Sequence, residues 1–150
     1  MNLGEALSLL KKEKSRLSRL IDLRKEHLYK EEGKKATFNP KKLSDEINKK
    51  TDYIRMLKIR IQKTNLHTLV KGETLSLAEA IIKVNDIRKK IANLTTLFEE
   101  RRSYFSDSKD KKKVAQLDEL KIEDEIMTLE REKVQLDNKI QMTNWVTLVE

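Results

Sequence analysis

By residue type, two histidines and one cluster of carboxylates are best equipped for chemistry in this sequence. His27 is followed one helical turn later by Glu31, a spacing at which both side chains can reach one cation. A carboxylate-bridged metal centre in a helical protein needs paired Glu-x-x-His motifs. None occurs, so His27 reads as a surface histidine. Asp118, Glu119, Glu123, Asp124 and Glu125 crowd one short stretch. Acid–base catalysis would need two of them in a cleft with separated pKa values. Their simpler use is at the positive end of a helix and opposite lysines of a neighbouring one. The chain has no Cys, which excludes disulfides, thiol nucleophiles and cysteine-ligated zinc. It has no P-loop, GxGxxG, HExxH or GxSxG motif. These residues predict no enzyme, no cofactor and no metal site.

The second candidate chemistry is electrostatic. The formal charge is +8 overall, with +9 in residues 1–74 and −1 in residues 75–150. Lys49, Lys50, Arg55, Lys58, Arg60 and Lys63 lie along one helix and could follow the phosphates of a nucleic acid. They lack the aromatic interleaving of single-strand binders, and no nucleic-acid motif accompanies them. A solvated lysine-rich surface explains the same charge.

Three Gly and one Pro in 150 residues leave too few turn formers for a sheet fold and suit a few long helices. Asn2 with Glu5, and Ser76 with Glu79, read as capping boxes. Asn39–Pro40 opens another helix, because proline in the first position forgoes no hydrogen bond. The first helix should run to Gly33 with Leu3, Leu7, Leu10, Leu17, Ile21 and Leu28 on its apolar stripe, Lys14 and Arg24 filling the gaps. Leu43, Ile47, Ile54, Leu57 and Ile61 mark the second, with Lys50 in one slot. The third carries Leu77, Ile81, Val84, Ile87, Ile91, Leu94 and Phe98. The fourth follows a charged loop at 106–113 and runs from Leu117 and Leu120 to Leu136 and Ile140. Lys14, Arg24, Lys50 and Lys133 occupy core-phase slots, with stems on apolar surface and heads in water or on a carboxylate.

Residues 61–70, IQKTNLHTLV, match residues 140–149, IQMTNWVTLV, at seven of ten positions. The helices before them align as well, so the chain is a duplicated helical hairpin. His67 aligns with Val146, which argues against a catalytic role for it. The expected fold is all-α: four long antiparallel helices from two duplicated hairpins in a coiled-coil-like bundle, one domain spanning 1–150. Thr64, Asn65, Thr143, Asn144 and Trp145 should form its structural joint. Helices should stop near Asn65 and Asn144, since Asn tolerates the left-handed conformation. Residues 68–75 should form a small β-hairpin with the C-terminal Thr147–Val149 docked beside it. Leu69, Leu148 and Trp145 should plug the bundle end.

The set of MNLGEAL, IQKTN, GETLSLAEAI, RRSYFSDSK and LDNKIQMTNW resembles the septicolysin-like family of small bacterial helical proteins. Its first hairpin loop is shorter than in that family and lacks the Glu-rich stretch. The resemblance implies an oligomeric helical protein without an established activity, under a haemolysin label. The first expectation is therefore a structural or interaction protein that self-associates. Non-specific nucleic-acid binding through the basic N-terminal half is the second, and membrane action the third. The N-terminus has apolar residues before its positive charges, unlike a signal peptide, and no membrane-length apolar run follows, so a cytoplasmic location is expected.

Overall fold

The structure, a computed structural model, describes residues 1–99 and 114–149. The loop expected at 106–113 lies outside them. Among the described residues the regular structure is helical: α1 (Leu3–Glu26), α2 (Pro40–His67), α3 (Leu77–Thr96) and α4 (Glu119–Val146). None of these helices is long and apolar enough to cross a membrane.

The helix starts follow the capping logic. The Asn2 side chain accepts from the Glu5 N–H at 2.8 Å while the Glu5 carboxylate accepts from the Asn2 N–H at 2.8 Å. Ser76 and Glu79 repeat the exchange at 3.2 and 2.7 Å. The Ser76 backbone N–H, and after it the Ser76 hydroxyl, which donates to the same carboxylate at 2.8 Å, hold the Glu79 carboxyl below its ordinary range. Asn39 caps α2 through the Lys41 N–H, with Pro40 in the first turn. A cap of this kind stabilises its helix by about 1 kcal/mol.

The chain divides into two compact units, Met1–Thr68 with Thr143–Glu150, and Leu69–Met142. In the first, α1 and α2 form an antiparallel hairpin. In the second, α3 and α4 do, with the pairs Lys83–Glu132, Arg88–Asp137 and Lys90–Glu125 bridging them at the surface. Each repeat thus supplies one hairpin, as the duplication requires.

The α2 seam is the expected one: Leu43, Ile47, Ile54, Leu57 and Ile61 are buried and Lys50 is half-buried. On α1 the seam is rotated. Leu3, Ala6 and Glu13 are buried and Leu10, Leu17 and Leu20 half-buried, whereas Leu7, Lys14, Ile21 and Leu28 are exposed. On α3, Ala80 is likewise buried in place of Ile81. A shift of one residue turns a helix by about 100°, so two adjacent stripes compete. The small Ala6 and Ala80 let the helices approach closely, and Glu13 offers Lys50 an acceptor that Lys14 cannot. On α4, Leu129, Leu136 and Ile140 are buried, whereas Leu117 precedes the helix and Leu120 faces solvent.

Several expected ends move. Helix α1 stops at Glu26, not Gly33. His27 leaves the helix with its N–H still on the Leu23 carbonyl, and its ring tilts against Phe38 at 4.7 Å. Gly33 turns the following loop at φ +79°. Helices α2 and α4 run two residues past Asn65 and Asn144, and no non-glycine residue among those described has positive φ. The β-hairpin reduces to an isolated bridge, Leu69 with Ser76, reinforced by Val70 N–H to the Leu75 carbonyl at 2.8 Å. The C-terminal segment pairs elsewhere, at the start of α1, through a second bridge between Asn2 and Leu148. Extended runs this short have no room for a second ladder rung. The proposed plugs are exposed as well: Leu69, Leu148 and Trp145 face solvent, and Val70 is the buried member of its segment.

Candidate functional site

Helix α2 carries all six cations singled out for binding, and its heptad register sorts them onto three faces. Lys50 points into the seam and donates to Glu13 at 2.6 Å, while Arg16 reaches the same carboxylate at 2.7 Å. The Lys50 hydrogen bond is the main reason the Glu13 carboxyl titrates below its ordinary range. Lys50 is therefore structural. Among the other core-phase cations, Arg24 donates to the Ser44 hydroxyl at 3.0 Å and Lys133 pairs with Glu130. Lys14 sits outside the seam, exposed.

The residue after each seam position faces one side of the hairpin. Thr51, Arg55 and Lys58 meet Lys14, Ser18 and Ile21 there, across a groove of about 420 Å³ floored by Leu17 and Ile54. Arg55 is paired with Asp52 at 3.0 Å. Lys14 and Lys58 have no acidic partner among the described residues.

The residue before each seam position forms the opposite flank. Lys49, Tyr53, Met56, Arg60 and Lys63 follow one another there at four–three spacing, all exposed, with Ile59 beside them. Arg60 also donates to the Val149 carbonyl at 3.4 Å. The six cations therefore do not form one track: three share a flank, two line the groove and one is in the seam. Tyr53 within that flank is an aromatic that a reading of cations alone passes over.

Four of the five joint residues are buried helix residues. Thr64, Asn65, Thr143 and Asn144 are all buried and all belong to the first unit. The Thr64 hydroxyl donates to the Arg60 carbonyl at 3.0 Å. Trp145 is 57% exposed and lies over Gly4, where a Cβ would come within 3.0 Å of its ring. Of the acidic cluster, Asp118 caps α4 through the Leu120 N–H at 3.0 Å and Glu125 pairs with Lys90 at 2.7 Å. Glu123 and Asp124 are exposed and in no ion pair among the described residues. No three His, Asp or Glu side chains converge as a metal would need among the described residues.

The profile of a family of unknown function, DUF6847, matches residues 11–149. The crystal structure of a functionally unknown conserved protein from Corynebacterium diphtheriae is similar along the whole chain, at 30% identity and a TM-score of 0.85. The match covers 100% of this chain and 99% of that one. No curated protein matches the sequence.

Proposed function

The chain belongs to the DUF6847 family, and we propose that it acts as a self-associating helical interaction protein whose copies meet along the α2 flank of Tyr53, Met56 and Ile59. One observation carries this reading. The duplicated helix α4 has Glu132, Gln135 and Asn138 at the three equivalent positions. The hairpin fold is therefore compatible with a polar flank, and the first repeat departs from it. Met56 is 60% exposed. Exposed apolar strips of this kind mark contact surfaces, and Tyr and Met are enriched there. Lys49 and Lys63 lie at the two ends of the strip, where a charged rim belongs. The septicolysin-like resemblance, with its oligomeric expectation, points the same way.

Light scattering across micromolar concentrations tests it. The expected result is a discrete assembly that M56E/I59E dissociates without lowering the Tm. A wild-type chain that stays monomeric throughout, or an assembly indifferent to M56E/I59E, overturns it.

The alignment of Lys49, Arg60 and Lys63 around Tyr53 supports a second reading, non-specific contact with a polyanion on the same flank. Binding to single-stranded DNA should then fall steeply with salt and fall further in K49E/K63E. No binding at low salt removes that reading.

A further inference from the structure

The two repeats differ again on the groove side of their hairpins, and there the difference is one of charge. In the second hairpin the residues aligned with Lys14 and Lys58 are Arg88 and Asp137, which form an ion pair at 3.0 Å. The first hairpin has a lysine at both places. Two like charges now border an apolar floor of Leu17 and Ile54, and Arg55 adds a third cation nearby. The same backbone arrangement supports a neutral pair, so the like charges are a property of the first repeat and not of the fold.

The matching surface is on the second repeat. One flank of α4 carries Leu120, Glu123, Met127, Glu130, Val134 and Asp137 at three–four spacing, alternating apolar and acidic, with Glu130 and Asp137 shared with Lys133 and Arg88 of the same chain. Leu120, Met127 and Val134 are all more than half exposed. Residues seven apart on a helix lie about 10 Å apart along its axis, and the groove wall from Lys14 to Ile21 is also seven residues long. A helix presenting Leu120 and Met127 with Glu123 between them would place apolar groups on the groove floor and a carboxylate between the lysines.

We infer that the α1–α2 groove is a docking surface for the acidic flank of α4 from a second copy of this chain. This rests on the self-association reading but adds a contact distinct from the Tyr53–Met56–Ile59 flank. Each copy carries both faces, so a two-fold pair makes the contact twice. The charges select the register and oppose groove-to-groove pairing, because like charges brought together across an interface are disfavoured.

Charge-swapped chains test it. K14E/K58E alone and E123K/E130K alone should each raise the dissociation constant of the assembly about tenfold or more, because each places like charges across the contact. An equimolar mixture of the two should associate as tightly as wild type, since every contact in the mixed pair is again complementary. Recovery in the mixture also shows that both variants fold. K58D, which recreates the ion pair of the second repeat, should weaken assembly while circular dichroism stays unchanged. If M56E/I59E dissociates the protein but both charge variants assemble normally, the inference is overturned and the α2 flank stands as the contact. If the charge variants dissociate and the mixture does not recover, the inference is likewise overturned. A wild-type monomer overturns both.

Discussion

Glu13 and Lys50 form an ion pair at 2.6 Å in the α1–α2 seam, at the two heptad positions where the second hairpin has Ile87 and Leu129, both buried. The same slot is thus filled by charges in one repeat and by hydrocarbon in the other. Glu13 is 3% exposed: K50L leaves this buried carboxylate only the half-exposed Arg16, and E13I strands Lys50 in the seam, whereas replacing both by apolar groups is often neutral or stabilising. K50L and E13I alone should each lower the Tm by about 5 °C or more. E13I/K50L should return it to the wild-type value or above. Calorimetry of the four proteins decides: a double variant as unstable as the worse single would mean that the charges fit this seam better than carbon does.

The same pair predicts an acid limb to stability. The Glu13 carboxyl is held below its ordinary value of 4.5, first by the Lys50 hydrogen bond. Glu73, on Lys139, is depressed in the same way. A folded-state pKa below the unfolded one means the contribution is fully present above about 4.5 and is lost as pH falls towards the folded value. The Tm should therefore hold from pH 7 to 5 and drop below 4.5. E13I/K50L should lose less over that interval. Parallel acid limbs for the two proteins would show that Glu13 is not one of the groups responsible.

What the sequence made legible, and what it hid, follows from two scales of information. Periodicity and capping chemistry are local, so the α2 seam from Leu43 to Ile61 and the caps at Asn2, Asn39 and Ser76 could be read directly. The choice between Ala6 and Leu7, or Ala80 and Ile81, depends on how closely a partner helix approaches, which hydropathy does not encode and in fact misranks. The cations of α2 read as one basic track because they are close in sequence. At about 100° per residue, Lys49, Lys50 and Lys58 lie on different faces. The joint is legible as a repeat, Thr64–Asn65 against Thr143–Asn144, which does not depend on structure. Its conformation departs from a β-hairpin because β-branched residues favour strands only where a ladder is available, and each segment here has a single bridging residue.

Trp145 and Gly4 should behave as a matched pair. A methyl on Gly4 would lie 3.0 Å from the indole ring, and the residues aligned with the two are Ala78 and Leu66. G4A should push the exposed ring outwards, costing about 1 kcal/mol and shifting Trp emission to the red. In a W145L background, G4A should cost nothing measurable. An equal cost of G4A in both backgrounds would place the strain in the helix and not against the ring.

The C-terminal segment should stabilise the protein through its backbone and not its side chains. The Leu3 N–H is one of the donors that the first turn of a helix leaves without an intrahelical partner. The Thr147 carbonyl accepts it at 2.8 Å, and the Val149 N–H donates to the Met1 carbonyl at 3.1 Å. Arg60 adds a bond to the Val149 carbonyl. Three bonds at about 0.5–1.5 kcal/mol each give roughly 2–4 kcal/mol for deletion of residues 147–150. The Leu148 side chain is exposed, so L148A should fall within about 0.5 kcal/mol of wild type. Amide exchange supplies an independent readout: in the truncation the Leu3 N–H should lose its protection while the Ile47 and Leu57 amides, in the middle of α2, keep theirs. If L148A costs as much as the deletion, the side chain and not the strand-like pairing holds the two ends of the chain together. If the deletion leaves both the Tm and the Leu3 exchange unchanged, the terminal pairing contributes nothing to stability.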